Sequence, residues 1–128
     1  MKITDNAQQP MEDWRPGVQT RMLHAAPTGA AQLCIFEQWC EPGLGAPEHV
    51  HAVEEVLDVL EGEAEIWVGA DRHQCAAGQS VLIPAGHWHG FRNTGDQILR
   101  VRATLAAPIF EASYRDRSEL TRRYLPDA

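Results

Sequence analysis

The sequence predicts an all-β fold, a sandwich or barrel of short strands in a single domain. Residues 63–68 and 98–105 each alternate apolar with polar side chains, which is the pattern of a half-buried strand. Turn signals rich in glycine, proline, asparagine and aspartate separate such stretches at intervals of about 8–12 residues, as is typical of sandwiches and barrels. The 128 residues, 44% of them hydrophobic, suffice for one domain whose core needs no disulfide.

The first elements follow from the N-terminal third of the chain. Residues 1–13 are polar and lack periodicity, so we expect an N-terminal arm before a barrel over residues 14–110. The first two strands of the barrel are expected at residues 18–23 and 32–39. Residues 42–47, rich in proline and glycine, then form a loop.

Further strands are expected over residues 55–60, 63–68, 78–83 and 98–105. Gly62 lies in the turn between the first two of them, where glycine permits a positive φ. Every second side chain should face the core, because successive side chains of a strand alternate between its faces. The inward residues are then Glu55, Leu57 and Val59, followed by Ala64, Ile66 and Val68, and by Leu99, Val101, Ala103 and Leu105.

Residues 111–128 form a C-terminal tail of different character. The tail contains four of the 11 basic residues, although the whole chain is acidic. Leu120 and Tyr124 lie four positions apart, a spacing that permits a short helix. A solvated tail and an arm that reaches over a partner subunit both fit this composition.

Three histidines and a glutamate form a candidate metal site. His49 and His51 lie two positions apart, so on a strand they point the same way, with Cα atoms roughly 6–7 Å apart. On a straight strand Glu55 would lie about 13 Å beyond His51, so the chain must bend and return Glu55 on another strand. His89 must come from a third strand. Imidazoles with one carboxylate suit a first-row divalent metal, and four protein ligands on an octahedral ion leave positions open for water or substrate.

The surrounding residues resemble the two signature blocks of the cupin superfamily. Gly43 to Gly62 reads Gly-x5-His-x-His-x3-Glu-x6-Gly, and Gly78 to Asn93 reads Gly-x5-Pro-x-Gly-x2-His-x3-Asn. Both blocks are complete, and a short loop over residues 63–77 separates them, as in small single-barrel cupins. The resemblance implies a double-stranded β-helix, or jelly-roll, barrel that holds one divalent metal per chain. The implied ligands are His49, His51, Glu55 and His89.

Strand parity suggests residues that line a substrate pocket. Gln38 and Phe36 share one strand face and would contact a ligand if that face lines the barrel. The opposite phase stays open, with Leu33, Ile35 and Trp39 inward. Phe91 continues the parity of His89 and should form a wall of the pocket. His87 is either a proton shuttle near the metal or a loop histidine at the barrel mouth.

The partners suggested by the sequence are a small molecule and a second copy of the chain. Trp67 and Trp88 have outward parity, and outward tryptophans on a sheet often mark an interface. The cupin resemblance likewise implies a homodimer.

Charge and composition argue against other partners. The net charge of −7 and the pI near 5.2 disfavour nucleic acid and anionic membrane surfaces. No stretch approaches the roughly 18 apolar residues of a membrane span, and the N-terminus lacks the apolar run of a secretory signal. Cys34, Cys40 and Cys75 form no Cys-x2-Cys pair, so we expect reduced thiols in a cytoplasmic protein.

An open metal site points to a metal-dependent enzyme that acts on a small molecule. Besides binding the metal, Glu55 is a candidate catalytic base. The resemblance makes a dioxygenase, an oxidoreductase, the first expectation. A lyase or isomerase on the same site and a non-catalytic binder or sensor are the alternatives. Iron, manganese, nickel, zinc and copper all suit the ligand set, so the metal identity stays open.

Overall fold

The computed structural model describes residues 1–127, and within them it confirms the predicted all-β jelly roll. Twelve strands form two six-stranded antiparallel sheets, with no α-helix among these residues. The strands are β1 (Met11–Arg15), β2 (Val18–His24), β3 (Cys34–Cys40), β4 (Gly45–Val50), β5 (Glu55–Glu61), β6 (Glu63–Val68), β7 (Asp71–Ala76), β8 (Ser80–Ile83), β9 (His89–Asn93), β10 (Leu99–Leu105), β11 (Phe110–Tyr114) and β12 (Leu120–Arg123). Two short 3₁₀ helices cover Asn6–Gln8 and Ala26–Thr28.

The chain crosses repeatedly between the two sheets. The first sheet has the order β1-β2-β3-β10-β5-β8, and the second has the order β12-β11-β4-β9-β6-β7. From β3 to β6, and again from β7 to β11, each strand lies in the sheet opposite its predecessor. The bend predicted before Glu55 is the crossing from β4 to β5. Strands β4 and β9 are neighbours in the second sheet, and the side chain of Glu55 on β5 reaches from the first sheet to His51 and His89.

The core fills the space between the sheets. Leu99, Val101, Ala103 and Leu105 of β10 are all buried, as their alternation predicts. The predicted inward residues of β5 and β6 are buried as well, apart from half-buried Val68. Burial of a valine or leucine side chain contributes roughly 1.5–3 kcal/mol, so these strands anchor both sheets.

The turn at Gly62 has the predicted backbone conformation. Gly62 has φ of 87°, a left-handed value that side chains with a Cβ rarely adopt. A Cβ at this position would also lie 3.2 Å from the carbonyl oxygen of Ile98. The turn therefore requires glycine for conformation and for space.

The structure shows which face of β3 points into the barrel, a question that the sequence left open. Phe36 and Gln38 are buried and face the interior, whereas Leu33 is 47% exposed, so the opposite phase is wrong. Glu37 is nevertheless buried on the outer face, because the guanidinium groups of Arg100 and Arg102 on β10 cover it. Because this carboxylate is covered, both faces of β3 contain buried residues. The inward face is therefore identified by the residues that line the interior cavity rather than by burial alone.

Both ends of the chain contribute strands beyond the predicted barrel limits. Strand β1 begins at Met11, inside the predicted N-terminal arm, and β11 and β12 lie largely within the predicted tail. The short helix suggested by Leu120 and Tyr124 is wrong, because Leu120–Arg123 is a strand paired with β11. A spacing of four is even, so it also places two side chains on one strand face and cannot distinguish the two structures.

The three cysteines and the two tryptophans with outward parity are all at least half-buried. Cys34, Cys40 and Cys75 are buried and free of disulfides. Trp67 and Trp88 are half-buried, and the guanidinium groups of Arg72 and Arg115 lie over their rings. The homodimer interface inferred from these tryptophans stays a prediction. Within residues 1–127, no helix has the length and apolar character needed to cross a bilayer.

Candidate metal centre

Strands β4 and β9 bring the three histidines of both blocks together. His49 lies in β4 and His51 directly follows that strand, so their side chains share the inner face. His89 opens β9 and pairs in register with His49, which places their ring centroids 4.2 Å apart. All three imidazoles are at most 5% exposed. The pairing of these two strands thus produces the non-local convergence that the sequence required.

Glu55 reaches the same point from the opposite sheet. It is the first residue of β5, and its Oε1 lies 3.1 Å from His51 Nε2 and 3.2 Å from His89 Nε2. One potential ligand atom from each of the four residues lies within 4.8 Å of the others. We call these four residues the ligand cluster: His49, His51, Glu55 and His89.

Backbone carbonyls fix the orientation of each imidazole. The Nδ1 atoms of His49 and His51 lie 2.7 Å from the carbonyl oxygens of Pro47 and Glu111, and His89 Nδ1 lies 2.9 Å from a carbonyl oxygen of its own loop. A carbonyl only accepts hydrogen bonds, so each Nδ1 carries the proton and donates it. In the neutral ring, Nε2 then keeps its lone pair, which is the form in which histidine binds a metal.

The environment sets the charge of the cluster. Burial, together with repulsion from His89 and His51, lowers the pKa of His49 to about 3, so this ring is neutral at physiological pH. Burial by itself would raise the pKa of Glu55, but in the metal-free site hydrogen bonds from Nε2–H groups of His51 and His89, at positions that a metal would take instead of these protons, outweigh burial and lower that pKa to about 2. The centre is therefore a buried carboxylate surrounded by imidazole nitrogens.

These features fit a bound cation. Neutral Nε2 atoms and a carboxylate oxygen are all electron-pair donors, and donors at such short distances repel unless a proton or metal ion lies between them. The mixed nitrogen and oxygen set matches first-row divalent metals. The chemistry of the donors thus agrees with the metal site expected from the sequence.

A small cavity adjoins the cluster. Its volume is about 20 Å³, the space of roughly one water molecule. Three of the four predicted pocket residues, Phe36, Gln38 and Phe91, line it. The amide nitrogen of Gln38 donates to Thr20 Oγ1 at 3.0 Å, which leaves the amide oxygen to accept from a ligand.

Three further residues of the wall come from the edge of the predicted barrel and from the predicted tail. Trp14 and Arg15 of β1 and Tyr114 of β11 line the cavity. None belongs to a recognisable motif, and a run such as Glu-Asp-Trp-Arg in a polar stretch gives little sign of a pocket. The alternation of apolar Phe110, Ala112 and Tyr114 was the one available signal for β11.

His87 lies outside the ligand cluster. Its side chain is exposed, and its Nδ1 lies 3.2 Å from the carbonyl oxygen of Ala85. It lines a different cavity of about 400 Å³, together with His73 and Asp71 of edge strand β7. His87 therefore lies away from the cavity beside the ligand cluster, which favours the loop histidine over the proton shuttle, and its role in a substrate pocket stays a prediction.

Side chains from both ends of the chain pack around Trp14, which lines the small cavity. The Trp14 ring packs against Phe36 and Phe110, with centroids 5.1 and 4.7 Å away. The Tyr124 hydroxyl donates to Glu12 Oε1 at 3.0 Å, and the Tyr124 ring lies 6.1 Å from Trp14. We call Glu12, Trp14 and Tyr124 the terminal clasp. It joins β1 of the first sheet to the residue that follows β12 of the second.

Comparisons with known proteins agree with this fold and motif. Residues 37–106, more than half of the chain, match the Cupin_2 family, described as a cupin domain. The HTH-type transcriptional regulator PuuR of Escherichia coli (strain K12) is 31% identical over 101 residues, which make up 78% of this chain and 54% of the regulator. This chain thus spans about half the length of that relative.

Solved structures show the same architecture. A RmlC-like cupin from Shewanella frigidimarina NCIMB 400 superposes with a TM-score of 0.73 and 22% identity, over 91% of this chain and 95% of that one. The polyketide cyclase RemF from Streptomyces resistomycificus superposes with a TM-score of 0.76 and 25% identity, over 93% of this chain and 88% of RemF. With the domain match over residues 37–106, these findings show that the chain belongs to the cupin family.

Proposed function

We propose that this cupin is a metal-dependent enzyme of the dioxygenase class that acts on a small, oxygen-rich molecule. The ligand cluster would hold one divalent transition metal. The observation that carries the proposal is the shared orientation of the three imidazoles, whose Nδ1 atoms are all held by backbone carbonyls. Their Nε2 lone pairs and the Glu55 carboxylate are left for a common cation.

A bound metal would supply Lewis acidity and a template on which dioxygen and a chelating substrate meet, since four protein ligands leave coordination positions open. The side chains around it have separate tasks. Phe36 and Phe91 exclude water from the centre, and the Gln38 amide oxygen can accept a hydrogen bond from a substrate hydroxyl. The Glu55 carboxylate lies directly against two imidazole Nε2 atoms, which favours the ligand role over the base role that the sequence suggested.

The size of the cavity limits the substrate. A volume of about 20 Å³ is too small for a diketone or catechol beside a metal ion, so entry of such a molecule requires movement of a wall. Trp14 lies on β1, an edge strand with a single neighbour in its sheet. The terminal clasp is therefore the wall that we expect to move.

RemF supports a catalytic role. It matches this chain over most of both lengths, and it is a polyketide cyclase, hence an enzyme. A cyclase, lyase or isomerase reaction would use the same ligand cluster without consuming dioxygen. Oxygen consumption therefore separates the dioxygenase from these alternatives.

PuuR supports a second candidate, a non-catalytic sensor domain. The 101 matched residues form part of a transcriptional regulator, and one fold can host ligand binding without catalysis. A sensor would bind ligand at the metal without turnover, so the two candidates differ in product formation.

Activity assays on the reconstituted protein test the proposal. The purified protein is stripped of metal, loaded in turn with Fe(II), Mn(II), Co(II), Ni(II), Cu(II) and Zn(II), and supplied with diketones and catechols. We expect dioxygen uptake with at least one metal, and loss of uptake in His51→Ala but not in the exposed control His73→Ala. Ligand binding without uptake or product for every metal would overturn the enzyme proposal in favour of the sensor.

A further inference from the structure

Arg15 brings a positive charge to the wall of the small cavity. It is the last residue of β1, where the pairing with β2 shifts register between Asp13 and Arg15. Its Nε donates to the carbonyl oxygen of Gly45 at 2.9 Å, so the side chain crosses from the first sheet to the second. It lines the cavity together with the ligand cluster and Gln38.

The guanidinium group keeps donors available in this position. Among residues 1–127, Arg15 forms no salt bridge with a carboxylate, and the Nε bond to Gly45 uses one of its five N–H groups. Arg100 and Arg102, by contrast, both pair with buried Glu37. Arginine is the side chain best suited to hold a carboxylate through two parallel hydrogen bonds.

Charge balance indicates what the cavity would accept. Metal-binding imidazoles are neutral, so a divalent ion with the single carboxylate of Glu55 leaves a net charge of about +1. Arg15 adds a second positive charge beside walls formed by Phe36 and Phe91. Unbalanced charge near apolar walls is costly, so an anionic ligand is favoured over a neutral one of the same shape.

We propose that Arg15 selects small carboxylate-bearing ligands, holding the carboxylate while an adjacent oxygen of the ligand meets the metal. This inference rests on the proposed function, because it assumes a metal in the ligand cluster, and it adds the class of substrate. Arg15 then acts as a specificity residue that contacts the ligand.

A matched pair of ligands tests the selection by charge. Glycolate and glycolamide share one skeleton and differ in charge, and both can chelate a metal. Each is titrated into the Co(II)-loaded protein while the visible absorption of the cobalt is recorded, a readout independent of turnover. Arg15→Gln should weaken glycolate binding about tenfold to hundredfold, the usual value of a charge-assisted hydrogen bond, and should change glycolamide binding less than about twofold.

Two further variants serve as controls. Arg92→Gln removes the same charge from an exposed position of β9 and should leave both affinities unchanged. Arg15→Lys keeps the charge without the guanidinium fork, so it should retain the preference for glycolate, with an affinity loss smaller than that of Arg15→Gln. Cobalt content and circular dichroism, measured for each variant, separate loss of ligand binding from loss of the fold or the metal.

The outcomes distinguish this inference from the proposed function. The role of Arg15 is overturned if Arg15→Gln binds glycolate as tightly as wild type does. It is also overturned if Arg15→Gln loses affinity for glycolate and glycolamide equally. In both cases the metal site stands. If Arg15→Lys binds glycolate as weakly as Arg15→Gln, the role of charge is likewise overturned. If Co(II)-loaded wild type responds to neither ligand, the inference fails and the proposed function is judged by dioxygen uptake alone. If folded wild type takes up no Co(II), both the inference and the proposed function fail.

Discussion

Tyr114 and His49 lie directly opposite each other on β11 and β4, and their rings stack with centroids 5.1 Å apart and an interplanar angle of 27°. Tyr114 is 4% exposed, so its ring is a fixed surface behind the imidazole. The stack and the hydrogen bond from His49 Nδ1 to Pro47 together fix the ring orientation. Metal affinity should therefore depend on a residue that does not itself bind the metal.

Replacement of Tyr114 tests this support. Tyr114→Leu removes the flat ring and should weaken Zn(II) binding roughly 2- to 10-fold, the range expected for loss of one aromatic contact. Tyr114→Phe keeps the ring and should bind within about twofold of wild type. Competition with a chromophoric chelator measures both affinities. An equal loss in Tyr114→Phe would assign the effect to the hydroxyl and contradict the role of stacking.

The terminal clasp should control how fast metal leaves the centre. Burial and the Glu12 carboxylate raise the pKa of Tyr124, so its hydroxyl stays protonated and donates to Glu12. Tyr124→Phe should lower the free energy of unfolding by about 1 kcal/mol and accelerate metal release into excess EDTA, because the strand that carries Trp14 loses its hydrogen bond to the C-terminal segment. Glu12→Gln keeps an acceptor oxygen and should have the smaller effect. An unchanged release rate in Tyr124→Phe would show that the clasp does not limit exit.

The neutral His49 ring should make the metal-free protein sensitive to acid. Its pKa is about 3 in the folded state and 6.5 ordinarily, so between these values the unfolded chain binds a proton that the folded chain does not. Stability is therefore fully present above pH 6.5 and falls as the pH drops toward 3, by roughly 3–5 kcal/mol for this group. Urea unfolding of EDTA-treated protein measures the change. His49→Gln should flatten the dependence in this window, and His73→Gln should not; equal slopes in all three proteins would contradict the assignment.

The pair of arginines over Glu37 should stabilise the first sheet. Burial would raise the pKa of Glu37, but the hydrogen bonds from Arg100 and Arg102 outweigh burial and lower it. Glu37→Gln should lower the free energy of unfolding by about 2 kcal/mol, less than for a fully buried pair because water reaches both arginines. Glu61→Gln, at a carboxylate that is 65% exposed, should cost below about 0.5 kcal/mol. Chemical denaturation measures both variants, and equal losses would contradict the importance of burial.

The ligand cluster was predicted because both cupin signature blocks are complete in the sequence, and the resemblance implies these four ligands. Once His49 and His51 share a strand face, Glu55 must return from another strand, and the crossing from β4 to β5 provides this return. The phase of β3 was harder to predict, because Glu37 is buried on one face and Gln38 on the other.

The ends of the chain were predicted least well. The side chains of β1 are half-buried or exposed, so the strand shows no clear alternation. Trp14 is partly covered by Phe36, Phe110 and Tyr124, which come from distant parts of the sequence. Such contacts depend on which strands end up at the same edge of the sandwich, and one sequence does not reveal this. Arg15 and the terminal clasp therefore became visible only in the structure.

Metal content tests the central claim most directly. Protein purified with each candidate metal is analysed by inductively coupled plasma mass spectrometry, as wild type and as four single alanine variants of the ligand cluster. We expect about one metal ion per chain in wild type and in the exposed control His87→Ala, and large losses in His49→Ala, His51→Ala, Glu55→Ala and His89→Ala. Full metal content in the four variants, or none in a folded wild type with any metal, would contradict the account.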